Sequence, residues 1–221
     1  MPKIRTFTMT IGDEPFQSQD TPKIRGFFAS KFSEYVEMHH HFGDDKFVYR
    51  YPLIQYKVIN HAPIILGIEK GVEILQRIFN QVTELRIGET IIPIREKKIV
   101  QKEELFGISE DLHFYRFITP WMALNQRNYN SYQNNDSKKR AVLLQKILIG
   151  NLLSMSKSLD YTVNEKILVS TQTQLKRAKL KGNEMNGFTG SFVTNFNIPD
   201  YFGLGKSVSR GFGTIQKMVN T

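Results

Sequence analysis

The stretch FVYRYPLIQYKVI at residues 47–59 is followed by Asn60-His61 and then by APIILGI at residues 62–68. Both runs are rich in β-branched and aromatic residues, which favour strands, and the two polar residues between them favour a turn. The sequence therefore predicts a β-hairpin in the first half of the chain. The segments on either side of this hairpin then decide the fold.

Strand and helix patterns flank the hairpin in a regular order. Residues 3–11 alternate as a strand, and a helix begins near Thr21-Pro22, where a proline in the first turn loses no hydrogen bond. On the other side, apolar residues recur at helical spacing over 72–82, and residues 84–88 form another strand. The order β-α-β-β-α-β is that of a ferredoxin-like unit.

The second half repeats this plan less regularly, with a strand at 113–119, a long helix at 137–156 and strands at 166–171, 174–180 and 188–195. Charged residues crowd together between Lys98 and Ile108, and we place the domain boundary there. We therefore predict an α+β protein of two tandem ferredoxin-like (RRM-like) domains, at residues 1–102 and 103–221, with a C-terminal glycine-rich loop.

The composition is globular but basic. The 221 residues include 30 Lys and Arg against 21 Asp and Glu, a net charge of +9, which favours nucleic acid, an anionic membrane surface or an acidic protein as partner. The longest apolar stretch, residues 141–155, is too short for a membrane span of roughly 20 residues. No cysteine is present, which excludes thiolate metal sites and disulfides. The N-terminus lacks a signal peptide's apolar core, so we expect a prokaryotic cytoplasmic protein.

Glycines and cations are concentrated in one segment near the C-terminus. Four glycines surround two hydroxyls and two cations there: Gly203, Gly205, Lys206, Ser207, Ser209, Arg210, Gly211 and Gly213. A Walker A loop would need glycine at Asp200, and a dinucleotide fingerprint would need glycine at Val208. The pattern instead predicts a loop that holds a nucleic-acid backbone. Glycines that only shape a tight turn before a last strand are the alternative.

Three consecutive histidines, His39, His40 and His41, follow the first helix, and Lys46 lies a few residues further on. A histidine with a pKa near 6.5 can accept or donate a proton near neutral pH, so the run offers candidates for acid–base chemistry. A solvated hinge is one alternative. A metal site completed by Asp44 and Asp45 is another, although adjacent histidines rarely converge on one ion.

Further cations alternate with aromatics along the predicted hairpin. We assign Arg50 and Lys57 to RNA binding and the neighbouring aromatics to the core. The cations at 138–140 and 176–181 are expected on solvated faces, some of them lining an RNA path. Trp121 is predicted to be a core or interdomain anchor.

Three stretches resemble a known superfamily: residues 198–213, residues 22–28 and residues 46–57. They are similar to the repeat-associated mysterious proteins (RAMP superfamily) and, within it, to the Cas6-type CRISPR repeat-processing endoribonucleases of antiviral defence. The resemblance implies two tandem ferredoxin-like folds and cleavage of repeat RNA without metal or other cofactor. It also implies a histidine general base just after the first helix, a place that His39, His40 and His41 occupy, with Lys46 assisting.

The spacing to Lys46 is most similar to the family pattern from His40. A helical tyrosine found in some relatives has no counterpart, because Phe27, Phe28 and Ala29 stand there. The resemblance implies an RNA-binding hydrolase of crRNA processing that leaves 2′,3′-cyclic phosphate and 5′-hydroxyl ends. Its expected partners are CRISPR repeat RNA and other CRISPR effector subunits, and no membrane association is expected. The protein itself is expected to be a monomer or a homodimer. A catalytically inactive RNA-binding subunit and a basic protein-interaction module are the alternatives.

Overall fold

The computed structural model describes residues 1–12, 15–39, 50–180 and 183–218. The chain divides into two units. One unit comprises Lys3–Glu104 together with Val208–Gly211, and the other comprises Met1–Pro2, Leu105–Ser207 and Phe212–Thr221. The first unit thus includes four residues from near the C-terminus. A single domain boundary along the sequence cannot describe this division.

The first unit follows the predicted order of helices and strands up to its last strand. Its sheet has the strand order β2 (Ile54–Ile59), β3 (Ala62–Ile68), β1 (Lys3–Ile11) and β6 (Lys97–Leu105), and it is antiparallel at β1–β3 and β2–β3. The predicted hairpin is confirmed, because Asn60 and His61 connect β2 to β3 with positive φ angles of 50° and 64°. The elements are β1 (Lys3–Ile11), α1 (Thr21–Lys31), α2 (Val36–His39), β2 (Ile54–Ile59), β3 (Ala62–Ile68), α3 (Lys70–Ile78), β4 (Glu84–Ile87), β5 (Thr90–Pro93) and β6 (Lys97–Leu105).

The fourth strand of this sheet differs from the prediction. The segment predicted to fill that place is β4, which instead pairs with β5 in a separate two-stranded hairpin. The fourth strand is β6, in the charged region where we expected a domain boundary. Most of β6 is exposed, and charged side chains are common on edge strands because they discourage association with other strands. Part of the charged region is therefore an exposed edge strand that the sequence analysis did not predict.

The core of the first unit lies on one face of its sheet. Alternate residues Phe7, Met9 and Ile11 of β1 are buried there. They pack with Phe28 of α1 and Leu75 of α3, which are fully buried. The two helices cover this face because their apolar residues recur every three or four positions.

The second unit has the strand order β10 (Ile215–Lys217), β7 (Gly107–Trp121), β9 (Asn183–Asn197) and β8 (Val169–Leu180). Its elements are β7 (Gly107–Trp121), α4 (Gln126–Gln133), α5 (Ser137–Ser158), β8 (Val169–Leu180), β9 (Asn183–Asn197) and β10 (Ile215–Lys217). The chain visits these sheet positions in the same sequence as in the first unit, which is the ferredoxin-like order. Where the first unit has α3, the second has residues 198–214, the glycine-rich segment.

Two details of the second half differ from the prediction. The strands expected at 166–171 and 174–180 are one strand, β8, since Gln172 and Thr173 between them pair with Ser191 and Gly190 of β9. The strands expected at 113–119 and 188–195 are inner parts of longer strands. Long strands with polar, exposed residues show little hydrophobic alternation at their ends, so their length is not evident from the sequence.

Aromatic rings form the core of the second unit. Trp121 is fully buried and stacks on Phe117 with 5.1 Å between ring centroids. The indole Nε1 donates a hydrogen bond to Oδ1 of Asn151 on α5, 3.0 Å away. Trp121 is therefore a core anchor, one of the two roles predicted for it. Among the described residues, no helix is long and apolar enough to cross a membrane.

Candidate nucleic-acid interface

The predicted catalytic residues lie almost entirely outside the described part of the chain. The backbone of His39 ends α2, whereas His40, His41 and Lys46 belong to residues 40–49. Arg50 is the first described residue after them and is exposed. The assignment of these histidines and of Lys46 to catalysis, and of Arg50 to RNA binding, stays a prediction.

The glycine-rich segment is anchored on both arms. Leu204 N donates to the Gly213 carbonyl at 2.9 Å, and Gly203 forms a bridge with Thr214. The backbone of Lys206 donates to the carbonyl of Met122 at 3.1 Å. These contacts lie within the second unit, so this part of the segment is a folded loop in which the backbone donors of Leu204 and Lys206 are already engaged.

Two glycines of this segment are required by packing. Gly205 has a φ of +88°, and a Cβ there would lie 2.7 Å from Nε1 of Trp121. Gly213 has a φ of +64°, and a Cβ there would meet the carbonyl oxygen of Leu204. Residues that carry a side chain rarely adopt such positive φ angles. Gly213 therefore shapes the turn that leads into β10, which is the role that the alternative interpretation describes, and Gly205 permits the close approach of Trp121. Their proposed contact with RNA is a separate question.

The middle of the segment belongs to the first unit. Val208–Arg210 forms a short 3-10 turn that contacts α1 and β2. A Cβ on Gly211, which is buried, would lie 3.0 Å from the carbonyl oxygen of Tyr56 and 3.1 Å from Cγ2 of Thr21. Ser209 and Arg210 are partly exposed on this turn. The turn that carries Ser209 and Arg210 is thus held against α1 and β2, which precede and follow the histidine run in the sequence.

Arg25 joins Arg210 at this place and was missed by the sequence analysis. It lies on α1 and is partly buried, and burial lowers its pKa, with the positive charge of Arg210 lowering it further. Two guanidinium groups held within range of mutual repulsion are favourable surroundings for an anion. The signal was present in the quoted stretch at residues 22–28, but helical periodicity alone did not separate Arg25 from the other cations of α1.

Lys57 does not lie at the surface, where its predicted contact with RNA would place it. Its side chain is 1% exposed, and Nζ donates a hydrogen bond to Oε1 of Gln55 at 2.8 Å. Nε2 of Gln55 in turn donates to the carbonyl of Pro52 at 3.0 Å. Burial lowers the pKa of Lys57 to about 7. The prediction that Tyr56 belongs to the core is confirmed, since it is buried and its hydroxyl contacts Met38.

Lys206 and Ser207 remain in the second unit. Lys206 is partly buried, which lowers the pKa of its ammonium. Ser207 adopts a positive φ of 57°, an uncommon angle for a non-glycine residue. Of the predicted RNA-binding set, the structure thus brings Ser209 and Arg210 together in one unit and places Lys206 and Ser207 in the other.

No group of three potential metal-ligating side chains occurs within residues 1–12, 15–39, 50–180 and 183–218. Asp44 and Asp45, which could complete a metal site with the histidine run, lie outside those ranges.

The cations at 176–180 lie on the β8 strand, and Lys181 is outside the described residues.

Two ferredoxin-like units in tandem, with a basic glycine-rich segment before the last strand, define a protein of the RAMP type. Family models agree: one for the Cas6b N-terminal domain matches residues 2–105, and one for the Cas6b C-terminal domain matches residues 107–218. The chain belongs to the Cas6b family.

Solved structures and a curated relative resemble it closely. A crystal structure of Cas6b is 39% identical, with a TM-score of 0.92, and covers 98% of this chain and 100% of its own. A second, described as the CRISPR RNA processing endoribonuclease Cas6b, is 37% identical with a TM-score of 0.79 over the same shares. An uncharacterised protein of Methanocaldococcus jannaschii is 45% identical over 142 residues, 58% of this chain and 97% of that relative. A type IV Cas6 crRNA endonuclease, 12% identical with a TM-score of 0.59, covers 98% of this chain and 100% of its own and shares the fold.

Proposed function

We propose that this Cas6b protein is an endoribonuclease of CRISPR RNA processing that cuts repeat RNA without a metal ion. A histidine of the run His39, His40 and His41 takes the proton from the 2′-hydroxyl at the cut. The freed oxygen attacks the adjacent phosphorus, and the bond from phosphorus to the 5′-oxygen breaks. The 5′-oxygen takes up a proton, which leaves a 2′,3′-cyclic phosphate and a 5′-hydroxyl. Lys46 stabilises the charge on the phosphate oxygens.

One observation carries this proposal: the Val208–Arg210 turn contacts both α1 and β2. The histidine run lies in the sequence between these two elements, as its first residue ends α2 and β2 begins thirteen residues after the run's last histidine, His41. A phosphate held by Ser209 and Arg210 is therefore bound within the same unit as the proposed base. Binding and cleavage then require no element of the second unit to supply the reacting groups.

The binding role of the turn rests on charge. Arg210 and Arg25 supply two guanidinium groups, which match phosphate oxygens in geometry. The hydroxyl of Ser209 adds a further donor. The chain's net charge of +9 supports a polyanionic substrate over the alternative of a basic protein-interaction module.

The test is cleavage of the cognate repeat RNA in excess EDTA by the unmodified protein and by variants of His39, His40, His41 and Lys46, each changed to alanine. His61→Ala is the matched control, since His61 is an exposed histidine on the β2–β3 turn. We expect cleavage in EDTA, loss of cleavage with one histidine variant and normal cleavage by His61→Ala.

Three outcomes would overturn the proposal. Cleavage of an RNA with 2′-deoxyribose at the cut position would exclude attack by the 2′-hydroxyl. Binding of the repeat without cleavage by the unmodified protein would show a catalytically inactive RNA-binding subunit instead. Restoration of activity by a divalent metal after EDTA treatment would exclude the metal-independent mechanism.

A further inference from the structure

The sheet of the second unit has one covered face and one open face. Tyr115 and Phe117 of β7 are buried on the covered face, where Trp121 bonds to α5. Because successive residues of a strand point to opposite faces, Phe114 and Arg116 lie on the other side. Both are solvent-exposed, Phe114 by 38%. An exposed aromatic next to an exposed guanidinium thus stands on a central strand of the sheet.

The strand register extends this open face across all four strands. Phe114 pairs with Val193, which pairs with Ser170, and the parallel row runs from Gln216 through Arg116 and Ser191 to Gln172. Gln174 and Lys176 follow Gln172 on the same face of β8, because they are the next alternate residues of that strand. The side chains at these paired positions are apolar, neutral polar or basic, so the face is compatible with a polyanion and offers a flat platform.

The guanidinium on this face is held in place. Nη2 of Arg116 donates to Oε1 of Gln216 at 2.6 Å, and Nε donates to the same oxygen at 3.2 Å. The partner is neutral, so this contact orients the guanidinium without cancelling its charge. A preorganised cation beside an exposed ring loses little conformational entropy when a ligand binds.

We propose that this open face, defined by Phe114, Arg116, Ser191, Val193 and Gln216, binds unpaired nucleotides of the RNA. A base stacks on the ring of Phe114, and Arg116 contacts the neighbouring phosphate. Four-stranded sheets with helices on one side bind single-stranded RNA in this way, through aromatics on their central strands. Duplex RNA is excluded from the stacking contact, because its bases already stack on one another.

The position of the face supports an RNA occupant. β10 follows Gly213 and Thr214 directly and pairs with β7. The platform is therefore continuous, within the second unit, with the arm of the glycine-rich segment. The inference rests on the proposed function for its RNA partner, and it adds recognition of an unpaired segment of the repeat to that function.

The experiment measures the affinity of the full chain for repeat RNA that carries a 2′-deoxyribose at the cut position, so that cleavage does not enter. Phe114→Ala is expected to weaken binding about tenfold, because one base–aromatic stack is lost, and Phe114→Tyr is expected to retain affinity within about twofold. Leu175→Ala is the matched control: Leu175 is an exposed apolar residue of the same sheet, one position out of phase with the open face. It is expected to bind like the unmodified protein.

Salt dependence separates the two contacts. Arg116→Gln is expected to reduce the slope of log affinity against log salt by about one, and Phe114→Ala to leave it unchanged, because stacking releases no counterion. Arg177→Gln is the control for charge, since Arg177 is exposed, pairs with Glu184 and lies out of phase with the open face. An abasic nucleotide at the stacked position is expected to weaken binding by the unmodified protein and to have no further effect on Phe114→Ala.

Several results would overturn the inference. Equal affinities of Phe114→Ala and Leu175→Ala would show that the ring makes no RNA contact. An equal loss of affinity for fully duplex RNA would exclude stacking on an unpaired base. If Phe114→Ala changed the molecular mass of the oligomer in solution and left the RNA affinity unchanged, the face would be assigned to contact with a second copy of the chain. Failure of the unmodified protein to cleave unmodified repeat RNA would overturn the proposed function alone, since these affinities are measured without cleavage.

Discussion

Lys57 donates a hydrogen bond to Gln55 across 2.8 Å, and both side chains are buried on the same face of β2. The side-chain amide of Gln55 in turn donates a hydrogen bond to the carbonyl of Pro52, in the segment between the histidine run and β2. A buried ammonium with a neutral partner is costly when charged, and this explains why the pKa of Lys57 falls to about 7.

The pH dependence of stability should report this burial. In the unfolded chain Lys57 keeps its proton up to a pH near 10.4, whereas in the folded chain it releases the proton near pH 7. The free-energy cost of burying the charged ammonium on folding is therefore greatest at low pH and becomes smaller as the pH rises. Between pH 7 and 9 the free energy of unfolding of the native protein should rise relative to that of Lys57→Met by about 2 kcal/mol. Tyr56 beside it stays neutral over this range, because burial raises its pKa.

Chemical denaturation at pH 7, 8 and 9 measures this difference. The matched control is Lys176→Met, which removes an exposed lysine and should give a pH-independent difference from the native protein. Parallel stability curves for the native protein and Lys57→Met would show that Lys57 is not buried in solution.

Gly213 should not tolerate a side chain. Gly213→Ala places a methyl group against the carbonyl of Leu204 at a positive φ, and we expect a loss of more than about 2 kcal/mol of unfolding free energy. Gly150→Ala is the control, because nothing lies within 4 Å of a Cβ at this helical position of α5. That variant should gain roughly 0.5–1 kcal/mol. Thermal unfolding of both proteins tests the pair, and equal melting temperatures would contradict the loop geometry.

Tyr115 should anchor the start of the glycine-rich segment. Its buried hydroxyl donates to the carbonyl of Ile198 at 3.1 Å and accepts from the Ile198 amide at 2.8 Å. Tyr115→Phe leaves both backbone groups without this partner and should lower the free energy of unfolding by about 1–3 kcal/mol.

Denaturant titration checks this value against Tyr129→Phe. The hydroxyl of Tyr129 is in an exposed contact with Gln133, so its removal should change stability by less than about 0.5 kcal/mol. A similar small change for Tyr115→Phe would mean that water replaces its hydroxyl.

Arg25 and Arg210 should act on the same phosphate. Each change to glutamine should weaken RNA binding and reduce the salt slope by about one. Because both cations serve one anion, the loss in the double variant should be smaller than the sum of the single losses. Filter binding over a salt series measures both quantities, with Arg86→Gln as the control, since Arg86 pairs with Glu84 on the β4–β5 hairpin. Strict additivity would place the two arginines at separate sites.

Local patterns were sufficient for the ferredoxin-like order but not for its last strand. The hairpin at Asn60-His61 was predictable because turn residues and strand formers are adjacent in the sequence. β6 was not predicted as a strand, because an exposed edge strand has no buried side to impose alternation. The catalytic assignment to His40 and its neighbours came from resemblance and remains a prediction, while Arg25 became a candidate only when the fold brought Arg210 beside it.

The sequence by itself determined the basic charge, the tandem fold and the place of the glycine-rich segment, because charge, periodicity and turn chemistry are local properties of the chain. Only the tertiary structure decided which cations are accessible. Alternation along β2 puts Lys57 on the face opposite Tyr56, and only the packing around that strand buries both faces. Likewise, the residues of the Val208–Arg210 turn joined the first unit through contacts with segments that lie more than a hundred residues earlier in the chain.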